Sequence, residues 1–422
     1  MELKRVVVTG LGALTPLGND VTSTWEAAKA GKSGAGPITH FDASKFKTQF
    51  ACEVKNFNAS EYISDRRKLR QLDLYAQYAL VAARQAVEDS GLETMENLDR
   101  NRVGVIVAAG IGGLHTFEEE AGYYALNEDK GPKYNPFFIP KMIADIASGH
   151  ISMEYGYHGP NFGVVSACAS SNNAIIDAFN YIRLGKADAF VTGGAEAAIF
   201  PAGVGGFNSM HALSTRNDSP ETASRPFSKS RDGFVMGEGS AVLILEELEH
   251  AKARGAKIYA EVVGGGMSAD AHHITATHPE GLGAKLAMQN ALDDAGMKPE
   301  DIDYINVHGT STPVGDVSEV KAIVDLFGDA AYKLNISSTK SMTGHLLGAT
   351  GAMEAIFSIL AVKDDIVPPT INHEEGDDDE NIDYNLNFTF NKAQARPVRA
   401  ALSNAFGFGG HNASVIVKKF EE

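Results

Sequence analysis

Cys168 is the residue of this chain whose sequence surroundings suit nucleophilic catalysis best. It lies in the small-residue stretch 163–173, between the short apolar run 164–165, which predicts the end of a strand, and a segment of helical periodicity. We therefore expect Cys168 at a helix N-terminus, where the helix dipole and unpaired N–H groups favour the thiolate and can bind an oxyanion. A structural thiol is the alternative, and it is our prediction for Cys52, which lies in alternating apolar sequence.

Two of the thirteen histidines follow apolar, strand-like runs. His308 comes directly after residues 304–307, and His345 follows the run 334–336 and a Ser/Thr-rich stretch. Because α/β proteins place reactive groups at the carboxyl ends of their strands, we expect Cys168, His308 and His345 to meet at one edge of a sheet. Either histidine alone could equally be an ordinary loop residue.

Three other motifs do not support a site. The sequence GLGALT from Gly10 onward begins like a dinucleotide fingerprint but lacks its third glycine. His272, His273 and His278 have neither the spacing of helical zinc ligands nor a Cys or carboxylate pattern beside them. Ser166 is not flanked by the glycines of a hydrolase elbow. No nucleotide or metal site is predicted from them.

The elements that must position these residues alternate between strands and helices. Apolar runs at 6–8, 103–107 and 190–192 each lead into glycine, and helical periodicity over 74–89 ends at Gly91. This order predicts an α/β architecture with largely parallel sheets that are covered on both faces. Two further segments look like insertions, a covering loop at 121–139 and a solvated acidic loop at 374–380.

The second half of the chain repeats the plan of the first. The sequence AVEDSGL at 86–92 is echoed by ALDDAGM at 291–297, and each copy ends a helix shortly before a strand. The strand-like run 260–263 with its trailing glycines echoes the run 6–8. We predict an internal duplication joined within 246–257, with residues 1–256 carrying Cys168 and residues 257–422 carrying the two histidines.

Composition excludes several classes of protein. The 422 residues include 37 Lys and Arg against 54 Asp and Glu, a formal net charge of −17, which argues against general nucleic-acid binding. Two cysteines exclude a disulfide framework. No apolar run approaches the roughly 18–20 residues of a membrane span, and the N-terminal sequence lacks the features of a signal peptide. We expect a soluble, cytoplasmic protein that does not bind membranes.

Motifs spread from residue 6 to about residue 416 resemble those of the β-ketoacyl-[acyl-carrier-protein] synthases, and most closely the synthase II subgroup. In chain order they are VVVTGLGALTPLGND, SACASSNNAI, ALSTRND with ASRPFSKSRDGFVMGEGS, HGTSTPVGD, SSTKSMTGHLLGATGAMEA and SNAFGFGGHNASV. The resemblance implies an α/β fold, the thiolase-like duplicated αβαβα sandwich. It also implies elongation of fatty-acid chains by decarboxylative Claisen condensation.

The same resemblance assigns catalytic roles. Cys168 would hold the acyl chain as a thioester, and His308 and His345 would donate hydrogen bonds to the enolate that forms when malonyl-carrier protein loses CO₂. The N–H groups of Cys168 and Phe408 would form an oxyanion hole. The charged pair implied beside the histidines is Lys340 with Glu354.

Substrate-binding roles follow in the same way. The hydroxyls of Thr310 and Thr312 would bind the phosphopantetheine arm of the carrier. Phe406 and Phe408 would gate the acyl pocket, and Ile111 would line its deep end. One departure from the family pattern affects this region, because His411 stands where many members have Thr.

The resemblance further implies an acyl carrier protein as partner and a homodimer. Arg66, Arg67, Lys68 and Arg70 form the one dense basic run, and they would dock the acidic carrier. His211 stands where some members have an arginine that contributes to docking. No cofactor is implied beyond the phosphopantetheine that substrates carry; a structural monovalent cation is compatible, although no motif demonstrates one.

Two alternatives remain to be separated from this interpretation. A thiolase that acts on coenzyme A thioesters would use a second cysteine as acid and base, but Cys52 lies outside every site motif. A non-catalytic partner subunit that sets chain length usually lacks the nucleophile. The presence of Cys168, His308 and His345 argues against that reading.

Overall fold

The computed structural model describes residues 3–421, in which strands and helices alternate along the chain. The strands are β1 (Val6–Leu14), β2 (Gly36–Pro37), β3 (Phe50–Ala51), β4 (Val103–Ala108), β5 (Asn161–Phe162), β6 (Ala189–Glu196), β7 (Gly239–Glu247), β8 (Ala260–Ala269), β9 (Tyr304–Asn306), β10 (Asn335–Ser337), β11 (Ile366–Val367), β12 (Gln394–Ala395), β13 (Ala400–Gly407) and β14 (His411–Lys418). The α helices are α1 (Val21–Lys29), α2 (Ala59–Tyr62), α3 (Arg66–Leu69), α4 (Leu74–Ser90), α5 (Leu114–Leu126), α6 (Phe138–Met142), α7 (Ile146–Tyr155), α8 (Ser170–Arg183), α9 (Pro201–Ser209), α10 (Leu248–Ala253), α11 (Leu282–Ala295), α12 (Pro313–Phe327), α13 (Lys340–Thr343) and α14 (Thr350–Asp364).

Ten strands form one continuous sheet in the order β10-β9-β13-β14-β8-β1-β7-β6-β4-β5. Its two halves are joined where β1 pairs with β8 at the three positions of 6–8. In each half four of the five strands run in the same direction, and one strand, β7 or β14, runs opposite to both of its neighbours within that half. The prediction of largely parallel sheets therefore holds for four strands in every five, and β7 and β14 are the exceptions. In the second half the cause is a tight turn at 408–410, which returns the chain antiparallel from β13 to β14.

Helices cover both faces of each half-sheet. α4 and α7 pack on the outer face of the first half, and α11, with α12 beside it, packs on the outer face of the second. α8 and α14 contact each other and strands of both halves, so they form the middle layer. The predicted duplicated αβαβα sandwich is confirmed. The division between residues 256 and 257 stays a prediction.

Glycines inside β1 bring α4 unusually close to the sheet. The strand does not end at Gly10, as the sequence suggested, but continues to Leu14. A Cβ at Gly10 would lie 2.2 Å from the carbonyl oxygen of Ala86, and one at Gly12 would lie 2.0 Å from that of Ala82. The glycines are therefore needed for close packing rather than for a turn. The helix predicted over 74–89 is confirmed, and Gly91 ends it in the left-handed conformation at φ 63°.

The two predicted loops differ from expectation. Much of 121–139 is helical, because α5 extends to Leu126 and α6 begins at Phe138. The acidic segment 374–380 is only partly solvated. Asp377 accepts hydrogen bonds from the backbone N–H and hydroxyl of Ser230, and Asp379 lies 2.8 Å from the guanidinium of the buried Arg231. The buried cation explains the ordering, since it needs carboxylate partners.

No helix within residues 3–421 is long and apolar enough to cross a bilayer.

Candidate active site

The three residues singled out by their sequence context come together. Cys168, His308 and His345 line one cavity of about 410 Å³. Cys168 comes from the first half of the chain, and both histidines come from the second. The cavity opens at the carboxyl ends of the central strands, where residues following β9 and β13 also line it. This is the placement that strand-end chemistry predicts.

Cys168 lies in a tight turn that leads into α8. The preceding strand β5 ends at Phe162, so the prediction of a strand at 164–165 is wrong, and these residues are irregular. The turn Ala167–Ala169 starts at a left-handed residue, Ala167 with φ 51°. The Ser170 hydroxyl accepts from the N–H of Ser166 at 2.8 Å and donates to the carbonyl of Ala167 at 2.6 Å. These bonds hold a backbone conformation that costs about 1–3 kcal/mol elsewhere.

Burial and nearby polar groups act in opposite directions on the ionisation of the Cys168 thiol. Burial raises the pKa of Cys168 to about 12, and the positive charge of Lys340 opposes that rise. The N–H groups of Phe408 and of Cys168 itself are directed at the sulfur and also lower this pKa. These N–H groups thus act in the direction expected of the helix start, toward the thiolate, while burial acts against it.

His345 is the histidine nearest to the nucleophile. Its Nε2 lies 3.1 Å from Cys168 Sγ, while Nδ1 lies 2.9 Å from the Thr350 hydroxyl. The backbone N–H of Leu347 points at Nδ1 at 3.3 Å, and an amide N–H can only donate. Nδ1 is therefore the acceptor, and Nε2 carries the hydrogen that faces the sulfur and the cavity.

His308 faces His345 across the cavity, with their ring centroids 5.3 Å apart in an edge-on arrangement. Its backbone position is fixed because the N–H groups of His308 and Gly309 each donate to the buried Glu319 at 2.8 Å. Burial lowers the pKa of both histidines well below the usual value, and the charge of Lys340 lowers it further. Both rings are therefore neutral near pH 7.

Lys340 and Glu354 form a buried pair, with Nζ 2.5 Å from Oε1. Burial raises the pKa of Glu354 to about 8, and the charge of Lys340 opposes that rise. The pair thus places a positive charge close enough to affect Cys168 and both histidines.

The two phenylalanines lie at the end of β13, where Phe406 is in the strand, and in the turn that follows it, where Phe408 is the first residue. Phe406 is buried, with its ring centroid 5.6 Å from that of His308, and Phe408 is partly exposed with its ring 6.4 Å from that of Phe207. A Cβ at Gly407 would lie 3.0 Å from Cys168 N, so the absent side chain lets this turn reach the nucleophile.

The remaining substrate-binding candidates also line the cavity. Thr310 and Thr312 do so, and their hydroxyl oxygens are 3.0 Å apart. Ile111 lines the cavity with 37% of its surface exposed, so in the single chain it does not close a deep end. His411 lies next to the turn, since a Cβ at Gly409 would be 2.8 Å from its Nε2.

The basic run lies outside the cavity lining. Arg66, Arg67 and Arg70 are exposed on and just after α3, whereas Lys68 is half-buried and paired with Glu154. The structure thus separates one member of the predicted set from the other three, which are exposed.

Two carboxylates of the site were missed from sequence, Glu196 and Glu319. Both are buried. Burial raises the pKa of each to about 7, although the backbone N–H groups that donate to them lower it. Glu196 could have been found, because it follows a predicted strand at the edge where the other site residues lie. Glu319, within a helix, offered no such signal.

Comparison with known proteins places the chain among condensing enzymes. A family model described as Beta-ketoacyl synthase, N-terminal domain, matches residues 3–251, and the corresponding C-terminal domain matches 259–374. The chain is 52% identical to 3-oxoacyl-[acyl-carrier-protein] synthase 2 of Staphylococcus aureus (strain COL), over 99% of both sequences. Among solved structures, the ishigamide ketosynthase/chain length factor is 36% identical with a TM-score of 0.92, over 99% of this chain and 100% of that chain. A type II PKS acyl-carrier protein in complex with its ketosynthase matches at 32% identity and a TM-score of 0.91, with the same coverage.

Proposed function

The chain belongs to the β-ketoacyl synthase family, and we propose that it elongates fatty-acyl chains as a 3-oxoacyl-[acyl-carrier-protein] synthase, with Cys168 as the nucleophile. The observation that carries this assignment is the 3.1 Å approach of His345 Nε2 to Cys168 Sγ in a cavity that His308 also lines. A cytoplasmic location is part of the proposal.

The first half-reaction moves the acyl group onto Cys168. The sulfur attacks the thioester carbonyl of an acyl-carrier protein, the new C–S bond forms, and the carrier thiolate leaves with the proton that the Cys168 thiol gives up. The N–H groups of Cys168 and Phe408, which converge on the sulfur, would stabilise the oxyanion of the tetrahedral intermediate.

The second half-reaction forms the carbon–carbon bond. Malonyl-carrier protein loses CO₂, and the electron pair of the broken bond becomes an enolate whose oxygen would accept hydrogen bonds from His308 and His345. The enolate carbon attacks the acyl carbonyl on Cys168, the C–S bond breaks, and the sulfur takes up one proton. The products are 3-oxoacyl-carrier protein, CO₂ and the free Cys168 thiol. Neutral, pre-oriented donors suit this step because they stabilise developing negative charge without reorganisation.

Lys340 and Glu354 act on this chemistry through the electrostatic field. The charge of Lys340 lowers the pKa of both histidines, beyond the effect of burial, and so preserves them as neutral donors. Glu354, 2.5 Å away, would hold the ammonium in position.

The other cavity residues would bind substrate. The adjacent hydroxyls of Thr310 and Thr312 offer both donors and acceptors to the amides of a phosphopantetheine arm. Phe408 lies on a turn with two left-handed glycines, at φ 90° and 76°, which suits a gate, and Phe406 lies just before this turn in β13. Ile111 would contact the far part of the acyl chain.

Carrier docking would use the exposed arginines Arg66, Arg67 and Arg70, with Lys68 held to Glu154. A local cationic patch is required because the carrier is acidic and this chain has a net charge of −17. Replacing Arg66, Arg67 and Lys68 by Glu should raise KM for carrier-bound substrates and leave activity on small thioester mimics. The matched control reverses the exposed Lys252, Lys298 and Lys321, and an equal rise in KM there would reject the docking assignment.

A homodimer would cover a second surface. β5 is the last strand of the sheet, and it has no partner on its outer edge among the described residues. Apolar side chains are exposed on β5's neighbouring segments, namely Phe137, Ile139, Met153 and Val165. A second copy of the chain pairing there would bury them. Sedimentation should give twice the mass of one chain, and a monomer at micromolar concentration would reject this interface.

No organic cofactor enters the proposed reaction, and a monovalent cation would have a structural role. The oxygens Asn306 Oδ1, Ser403 Oγ and Glu354 Oε2 are buried without a hydrogen-bond partner in the described part of the chain. Asn306 and Ser403 are paired across β9 and β13, and α14, which carries Glu354, packs on both strands. Neutral oxygens with one carboxylate suit a monovalent ion.

The experiment that tests the function is acylation by a series of acyl-carrier proteins, read as a mass shift. An adduct on the wild type that is absent from Cys168→Ser is expected. The Cys168→Gln variant should lose elongation and retain malonyl decarboxylation, since the histidines remain. An adduct from acyl-coenzyme A alone would favour a thiolase, and condensation by Cys168→Gln would reject the nucleophile.

A further inference from the structure

Glu196, the last residue of β6, is a buried carboxylate that binds backbone N–H groups of two separate loops. Its Oε2 accepts from Gly110 at 2.8 Å and from Gly348 at 3.0 Å. Its Oε1 accepts from Ile111 at 3.1 Å and from Gly112 at 3.0 Å. The side chain is completely buried. The four N–H groups converge on one anion, as they do in anion-binding backbone concavities.

The two loops joined by this carboxylate both border the reaction cavity. Ile111 lines it on one side and Leu347 on another. Leu347 also donates its N–H to His345 Nδ1, so the turn that Glu196 holds is the turn that fixes the tautomer of His345. A single carboxylate therefore links the wall of the acyl cavity to the histidine closest to Cys168.

No other group in this arrangement can replace the carboxylate. The loops meet backbone to backbone, since a Cβ at Gly348 would lie 2.1 Å from Gly110 N. Gly112 has φ 79°, which turns its N–H toward the same point. Without an acceptor, these N–H groups would be buried and unpaired, and the loops would separate to hydrate them.

We propose that Glu196 is a positioning residue that sets acyl-length selectivity by fixing Ile111 relative to Cys168. This inference rests on the proposed role of Cys168 as the acyl acceptor. A long acyl chain must pass along the wall at Ile111, whereas a two-carbon chain occupies only the space next to the sulfur. Loss of the carboxylate should therefore affect long substrates more than short ones.

The test compares Glu196→Gln with the wild type. The amide has the same shape, but its NH₂ group faces two N–H donors and accepts from neither. We expect kcat/KM for acylation by a sixteen-carbon acyl-carrier protein to fall about tenfold or more relative to a two-carbon one, mainly through KM. If Glu196→Gln does not fold, the same ratio is measured for Glu196→Asp, which keeps the charge on a shorter side chain and should change the ratio in the same direction.

Glu53→Gln is the matched control. Glu53 is 8% exposed and accepts from the backbone N–H groups of Thr39 and His40 at 2.8 and 3.2 Å, outside the cavity lining. It should lower the melting temperature without changing the ratio of long to short substrates. A ratio in the Glu196 variant equal to that of the wild type, or a uniform fall for all lengths, would overturn the proposal. Absence of any wild-type adduct would instead reject the proposed function.

Discussion

The two halves of the molecule contain matching turns in the middle layer, and only one of them carries the proposed nucleophile. Ala167–Ala169 leads into α8 and Leu347–Ala349 leads into α14, and the first residue of each turn is left-handed, at φ 51° and 50°. The second position is Cys168 in one turn and Gly348 in the other. The N–H of Cys168 faces the reacting sulfur, whereas the N–H of Gly348 binds the carboxylate of Glu196.

The same backbone turn at the start of a helix therefore has a different role in each half. N–H groups at the start of a helix bind anions whatever the sequence. In the first turn they would bind the oxyanion of the proposed reaction, and in the second they bind the carboxyl group of Glu196. The second turn thus supports the site, and the proposed catalytic residues of the second half, His308 and His345, lie outside it.

The largest effect should come from adding one carbon to the second turn. A Cβ at Gly348 would lie 2.1 Å from Gly110 N and 2.8 Å from Glu196 Oε2, so Gly348→Ala must separate the two loops. We expect it to destabilise the fold by about 3 kcal/mol, as overpacking of a closed site does, and to abolish elongation. The midpoint of urea unfolding and the elongation rate measure these effects.

The control at the equivalent position is Cys168→Ala, which should lose acylation. Its midpoint of urea unfolding should stay close to that of the wild type, because a Cβ is already present at this position. Equal stability losses in the two variants would contradict the asymmetry between the turns.

Much of the site could be predicted from sequence, and the failures have a common cause. The convergence of Cys168, His308 and His345 followed from strand-end placement, which is a property of topology. The state of the thiol and the role of Glu196 did not follow. Both depend on burial and on N–H groups brought in from loops that are distant in sequence.

The fold, too, was predicted from sequence only in part. Alternating strands and helices, the helix at 74–89 and the duplication were all visible as patterns. The strand 6–8 was expected to end at Gly10, because a glycine that ends a strand and one needed for close packing look alike in a single sequence. Only the position of Ala86 against Gly10 separates the two cases.

A smaller effect is expected when the positive charge of Lys340, in the second half, is removed while Cys168, in the first half, is left unchanged. In Lys340→Met the pKa of His308 and His345 should rise toward the usual value, because the cation that opposes their protonation is removed while burial remains. A proton on His345 Nδ1 would face the Leu347 N–H, so activity should be lost on protonation. As pH falls, the acid limb of kcat/KM should therefore appear at a higher pH than in the wild type.

The pH profile of Lys363→Met, which removes a half-exposed lysine of the same middle layer, should match that of the wild type. A Lys340→Met profile that is unmoved, or moved to lower pH, would show that this lysine does not set the protonation of the histidines.

The smallest effects concern the outer layers, where the two halves have remained alike. Asp89 on α4 accepts from the N–H of Leu11 at 3.0 Å, and Asp294 on α11 accepts from the N–H of Gly265, also at 3.0 Å. Each bond reaches the middle of a strand segment flanked by glycines that a helix packs against. We expect Asp89→Ala and Asp294→Ala to cost about 1.5–3 kcal/mol each in unfolding free energy, the usual contribution of a hydrogen bond to a charged group.

Comparing the losses of unfolding free energy in Asp89→Ala and Asp294→Ala shows whether the equivalent bonds of the two halves stabilise the fold equally. Asp293→Ala, which removes the exposed neighbour of Asp294, serves as the control and should change stability by less than about 0.5 kcal/mol. Matching losses at Asp89 and Asp294 would mean that both halves still dock their outer helices by the same bond, so that divergence was confined to the turns facing the cavity. A loss at only one of them would mean that the outer layers have also specialised, and that the shared sequence pattern at 86–92 and 291–297 no longer carries a shared energetic role.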